Sequence, residues 1–165
     1  MLEGLKGVYP ADDVFRAAFS EKSIGTTQAR NRRIVRYILC ALEHQKSGVE
    51  LDFENDTITL EHICSINPNG GWPTFSDEEV EALTSRIGNM ALLKSKQNKD
   101  LGNADYETKR PVYAGSSFMI TREVAEHNAD WTPSRLAARQ RSLASIATSI
   151  WRVPRSCPMP WCRIG

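Results

Sequence analysis

The chain has 165 residues, 41% hydrophobic and 25% charged, with a net charge of +1. That balance suits one compact globular domain rather than a disordered or fibrous chain, and no apolar run approaches the ~20 residues that cross a bilayer. Cys40, Cys64, Cys157 and Cys162 are scattered without a CxxC pair, which argues against a structural zinc site and a disulfide framework.

The small net charge conceals three unequal stretches. Residues 1–46 hold eight Lys/Arg against five Asp/Glu (+3), residues 47–93 hold one against nine (−8), and residues 94–165 hold twelve against six (+6). An acidic middle suits a cation site and basic flanks suit a polyanion, although acidic residues 77–81 also read as a solvated helix face. The opening MLEGLKGVYPADD lacks the basic start and apolar run of a signal peptide, so a cytoplasmic location is expected.

Asp12 to Lys22 predicts a short helix with Val14, Phe15, Ala18 and Phe19 on one face. Ser23-Ile24-Gly25-Thr26-Thr27 is a break. Gln28 to Gln45 predicts a second helix, with Ile34, Val35, Ile38, Leu39 and Leu42 as its apolar stripe and Lys46-Ser47-Gly48 as its end. Arg30, Arg32, Arg33 and Arg36 flank that stripe and read either as phosphate contacts or as solvated, acid-paired side chains. Thr57 to Leu60 are β-formers that deliver Glu61 and His62 side by side. Asn67 to Gly71 is turn-rich, with Trp72 as its anchor. Ser76-Asp77-Glu78-Glu79 has capping-box spacing and turns Val80 and Leu83 inward. Arg86 to Leu93 reads as a second strand entered through Gly88-Asn89; Lys94 to Asn98 is a polar, basic segment that a short helix can follow. Asn103 is a cap candidate for a helix ending near Arg110, because Pro111 lacks an N–H. Ile120 to His127 predicts another short helix. Thr132-Pro133 starts a last helix that runs to about Trp151 and buries Leu136, Leu143, Ile146, Ala147, Ile150 and Trp151. Pro154 to Gly165, with three prolines, reads as a flexible or partner-dependent tail.

The expected fold is a mainly helical α+β domain with one two-stranded antiparallel hairpin near residues 57–63 and 87–93. Its expected organisation is an N-terminal helical segment (1–50), a core (51–113), C-terminal helices packed on that core (114–151) and a tail (152–165).

Strand, strand and helix carrying Glu61-His62, Asn89 and Asn98 resemble the ββα-metal finger of HNH endonucleases. A closer resemblance covers about residues 30–151. It rests on Leu60-Glu61-His62-Ile63, on Arg86-Ile87-Gly88-Asn89-Met90-Ala91-Leu92-Leu93, and on Asn98 with Leu101-Gly102-Asn103. Tyr106, Lys109, Tyr113 and Ser116 continue it, followed by Trp131-Thr132 and the arginine-bearing last helix. These motifs are similar to the C-terminal nuclease domain of GmrSD-type modification-dependent restriction enzymes.

The resemblance implies a metal-dependent DNA endonuclease or nickase, serving restriction or phage defence. His62 would be the general base, since an imidazole titrates near ~6.5 and can take a proton from water at neutral pH. Glu61 and the Asn98 side-chain oxygen would hold Mg2+ (or Mn2+), a hard cation that needs only one or two protein oxygens. Asn89 would complete the catalytic set by orienting the loop after the first strand. Lys99 and Lys109 would approach phosphates; Arg135 and Arg139 read equally as DNA contacts or as a solvated face. A separate nucleotide-binding restriction subunit or domain is an expected partner, because the family's N-terminal domain has no counterpart in the sequence. The expectation is therefore an isolated domain, a truncated form or one subunit of a split system. Two departures stand out: Cys64-Ser65-Ile66-Asn67 intervenes before Pro68, and Pro111 falls where the family's helix continues. The alternative is a catalytically inactive HNH-fold nucleic-acid-binding or scaffold domain. His44 and His127 read as surface or cap groups, and Cys64 as a small buried residue.

Overall fold

The run from Ile58 extends as a strand, β1 (Ile58–His62), which pairs antiparallel with β2 (Met90–Lys94) in a register from Ile58 opposite Lys94 to His62 opposite Met90. The computed structural model describes residues 10–67 and 72–151. The first nine residues, the Pro68–Gly71 turn and the 152–165 tail, with Cys157 and Cys162, lie outside the described residues. Around the hairpin stand α1 (Asp12–Ser20), α2 (Ala29–Ser47), α3 (Asp77–Leu83), α4 (Ser95–Leu101), α5 (Tyr106–Ala114), α6 (Met119–His127) and α7 (Pro133–Ile150). The fold is mainly helical α+β with one two-stranded antiparallel sheet. No described helix is long and apolar enough to cross a membrane.

Successive strand residues face opposite ways, and β2 feeds two cores. Met90 and Leu92 join Val35, Leu39, Leu42, Ile58 and Leu143 in one; Ala91 and Leu93 join Ile63, Tyr113, Trp131 and Leu136 in the other. Burial on both faces explains why Met90 to Leu93 is an unbroken apolar run rather than an alternating one.

Three local details differ from the sequence expectations. The second strand begins at Met90, because Ile87–Asn89 forms a 3-10 turn pressed against α7. A Cβ on Gly88 would lie 2.7 Å from the Leu136 carbonyl oxygen and 2.8 Å from Gln140 Cβ, so this position has no room for a side chain. The α5 cap is Asp105, whose carboxylate accepts from the Thr108 amide at 2.8 Å, not Asn103. Helix α5 continues through Pro111, which is exposed and forfeits one intrahelical N–H bond without ending the helix. The other start signals form as expected. Ser76 and Glu79 make both capping-box bonds, and Thr132 Oγ1 accepts from the Arg135 amide ahead of Pro133. Glu43 of α2 is buried because its two oxygens accept from the Met119 and Ile120 amides, at 2.9 Å each, capping α6 from outside.

Candidate active site

Strand β1 ends at His62, so Glu61 and His62 leave it on opposite faces. The His62 ring is largely enclosed. Its Nε2 lies 3.2 Å from Thr26 Oγ1, a buried hydroxyl in the segment between α1 and α2. Burial, and secondarily the positive charge of Lys109, lowers the imidazole pKa to about 4. His62 is therefore neutral at physiological pH, with one acceptor nitrogen and one N–H.

Glu61 is 4% exposed. Its Oε1 accepts from the Tyr113 hydroxyl at 2.9 Å and pairs with Lys109 Nζ at 2.7 Å. Burial raises the carboxyl pKa, and Lys109, then Tyr113 and the His62 amide, pull it back down. The same ammonium donates to the His62 carbonyl at 2.8 Å, to the Ile63 carbonyl at 3.2 Å and to Ser65 Oγ at 3.1 Å. Lys109 is 1% exposed. The expectation that it approaches phosphate is corrected here: its charge is spent inside the protein, on Glu61 and on the carbonyls that follow β1. Those carbonyls leave the sheet and have no ladder partner, so a buried donor must satisfy them.

Asn89 is fully buried and clamps the same loop from the other side. Its Oδ1 accepts from the Cys64 amide at 2.9 Å and from Trp131 Nε1 at 3.2 Å; its Nδ2 donates to the Cys64 carbonyl at 2.8 Å and to the Thr84 carbonyl at 3.2 Å. Its backbone carbonyl takes the Ile63 amide at 2.8 Å. The residues after His62 are thus fixed by Asn89 and Lys109 together. Cys64 is buried beside this clamp, and burial pushes its thiol up to about 11, which keeps it unreactive at neutral pH.

Asn98 lies in the middle of α4. Its amide nitrogen donates to the Leu60 carbonyl at 2.6 Å and to Thr59 Oγ1 at 3.0 Å. Those bonds fix the amide plane and leave Oδ1 without a partner among the described residues. Among those residues no three His, Cys, Asp or Glu side chains lie close enough to hold a metal ion. A cation would therefore rest on a small set of hard oxygens. Asn98 Oδ1 and Glu61 Oε2, the oxygen that neither Lys109 nor Tyr113 occupies, suit Mg2+ or Mn2+ in kind. The ammonium beside Glu61 offsets part of its charge and would weaken any cation held there.

Lys99 is exposed on α4 and makes no ion pair among the described residues. Arg135 is about half exposed, with Asp130 at 3.5 Å. Arg139 directs its guanidinium into the protein. Its guanidinium donates to the Gly88, Met90 and Ile120 carbonyls at 2.7, 2.8 and 3.3 Å, and burial lowers its pKa to about 10, still charged at neutral pH. It braces the turn into β2 while staying partly exposed. Thr26 carries no role in the sequence reading. A hydroxyl in a break between helices has no motif or spacing, and only the fold brings it to His62.

The sequence matches a known family over residues 9–146: the C-terminal domain of GmrSD restriction endonucleases. The chain belongs to this family and is a nuclease domain of the restriction-endonuclease type. The comparison with curated proteins returns no match.

Proposed function

We propose that the chain is a metal-dependent DNA endonuclease or nickase of the HNH type, acting in restriction or phage defence with a nucleotide-binding subunit or domain. The observation that supports this most is the strand–strand–helix unit at the end of β1. There a neutral, enclosed His62 stands next to Glu61, Asn89 clamps the loop behind it, and Asn98 Oδ1 is left free by two bonds that hold its amide nitrogen.

In this reading His62 takes a proton from the attacking water. A pKa of about 4 makes the free ring a weak base, and the negative charge of a bound phosphate beside it raises that basicity when substrate arrives. Glu61 and Asn98 would hold the cation. A bound Mg2+ or Mn2+ supplies polarisation of the scissile phosphate and stabilisation of the leaving oxygen. Asn89 and Lys109 keep the backbone around His62 fixed, so that the base is positioned before DNA binds. Lys99 and Arg135, both exposed, remain for the DNA backbone.

Nicking of supercoiled plasmid with Mg2+ or Mn2+, and its loss with EDTA, tests the reading. His62→Ala should lower the rate about 10²–10⁴-fold while DNA and Mn2+ binding persist. Equal rates in His62→Ala and the parent would exclude the mechanism. The alternative, a non-catalytic DNA-binding fold, draws support from the Lys109–Glu61 pair, which mutes the carboxylate; DNA binding without nicking in either metal would select it.

A further inference from the structure

We propose that Thr26 is a positioning residue for His62, holding the ring through Nε2 so that Nδ1 is the nitrogen that accepts the proton. The inference rests on the nuclease reading and adds to it a residue from outside the strand–strand–helix unit.

The hydroxyl is delivered by a segment held at both ends. Arg32 Nη1, one turn into α2, donates to the Thr26 carbonyl at 3.0 Å and to the Thr27 carbonyl at 2.8 Å, and Asn31 Nδ2 donates to the Gly25 carbonyl at 2.7 Å. On the other side the Ile24 amide donates to the Ser85 carbonyl at 2.8 Å, and Ser23 pairs with Arg86 in an isolated antiparallel bridge. Those are the residues that lead into the Ile87–Asn89 turn. Thr26 is 7% exposed and its Oγ1 lies 3.2 Å from His62 Nε2. The turn whose Asn89 clamps the His62 loop thus also anchors the segment whose Thr26 meets the His62 ring.

The nuclease reading selects the direction of this hydrogen bond. A neutral imidazole has one N–H and one acceptor nitrogen, whereas an imidazolium donates from both. If Thr26 donated to Nε2, the proton would already sit on Nδ1, and the ring could act as a base only by breaking its contact with Thr26. If Nε2–H donates to Thr26 Oγ1, Nδ1 is free, and the same bond persists after the proton arrives. Only the second arrangement keeps the ring in place through the reaction. The hydroxyl also fixes which tautomer is present, a role commonly filled by a group bonded to the far nitrogen of a working histidine.

Three variants test this: Thr26→Val removes the hydroxyl at constant shape, Thr26→Ser keeps it, and Thr26→Ala guards against a valine that does not fold. Histidine-15N-labelled protein, with the His62 signals assigned by their loss in His62→Gln, reports which ring nitrogen carries the proton. The parent should show the Nε2–H form, Thr26→Ser should preserve it, and Thr26→Val should shift toward Nδ1–H or a mixture. In plasmid nicking, kcat should fall about 10–100-fold in Thr26→Val, with KM within about twofold and recovery in Thr26→Ser. An Nδ1–H form in the parent, or an unchanged tautomer in both Thr26→Val and Thr26→Ala, overturns the inference even where plasmid is cut. A parent that shows the Nε2–H form but cuts no DNA overturns the nuclease reading and the catalytic part of this inference, while the hydrogen bond stands.

Discussion

Lys109 offers the sharpest separation between a DNA contact and an internal clamp. Its ammonium is 1% exposed and 2.7 Å from a Glu61 carboxylate that is itself 4% exposed. Lys109→Met removes the cation, leaves that carboxylate buried without its partner, and strips a donor from the His62 and Ile63 carbonyls. Breaking one side of a buried ion pair costs about 3–5 kcal/mol. A domain of this length shifts about 2–4 °C per kcal/mol, so Tm should fall by about 6–20 °C. Glu61→Gln in the Lys109→Met background removes the stranded charge and keeps an acceptor for Tyr113. The double variant should therefore recover part of the loss, with a coupling of about 1–3 kcal/mol. Full recovery is not expected, because the two carbonyls stay without their donor. Below its Tm, Lys109→Met should bind DNA with the parent's salt dependence, since no phosphate contact is lost. Thermal melts of the parent, Lys109→Met, Glu61→Gln and the double variant, with DNA affinity measured at several salt concentrations, decide the matter. A Tm within about 2 °C of the parent, together with weaker DNA binding and a shallower salt slope, would refute the internal assignment.

Three other outcomes follow from the same geometry. His62 sits at about 4 in the folded protein against ~6.5 when unfolded, so the unfolded chain binds the proton more readily between those values; its contribution is complete above about pH 6.5 and disappears as pH falls toward 4, about 3 kcal/mol in all. Urea melts should show that extra acid loss in the parent and not in His62→Gln, and equal losses would rule out an enclosed neutral ring. Asn98→Ala and Asn98→Asp should both weaken Mn2+ binding by calorimetry, because aspartate cannot donate to the Leu60 carbonyl now 2.6 Å from the amide nitrogen; parent-like affinity in Asn98→Asp would show that the amide anchor is irrelevant. Gly88→Ala drives a methyl to within 2.8 Å of Gln140 and the α7 backbone, an overpacking of about 1–3 kcal/mol that should lower Tm by about 2–12 °C; an unchanged Tm would contradict the tight contact.

The parts of this fold that sequence reveals are those set by local pattern. The β-formers around Ile58, the apolar run Met90 to Leu93 and the stripe of α2 each carry their own periodicity, and the Ser76 and Thr132 starts carry their own caps. The sequence also places Glu61 and His62 at the end of the first strand, whereas Asn89 falls in a 3-10 turn ahead of the second strand and Asn98 in the middle of a helix rather than in a loop. What it does not carry is the direction of a side chain. The resemblance has Lys109 approach phosphate, and Arg139 reads equally as a DNA contact or a solvated face, yet both direct their charge into the protein. Nothing in a lone Lys or Arg distinguishes an outward charge from a buried donor until the acceptors are known. Pro111 misleads for the converse reason. A general rule about helix interiors outweighs a position that is exposed and has only one bond to lose.

The inward turn of these cations has a common physical cause. A finger whose strand ends at His62, and whose second strand begins only after the Ile87–Asn89 turn, buries irregular backbone on both sides of the hairpin. Each buried carbonyl there needs a donor, and the sheet provides none. Lys109 serves His62 and Ile63; Asn89 serves Cys64 and Thr84; Arg139 serves Gly88 and Met90; Gln140 serves Phe19 and Lys22 while accepting the Gly88 amide. Long side chains from α5 and α7 thus reach in to complete the polar network of the finger. This accounts for the surrounding helices: the strand–strand–helix unit supplies His62, Glu61 and Asn98, but its loops are held by residues far along the chain. A fragment ending before α5 would keep all three of these candidate residues and lose the donors that hold two of them in place.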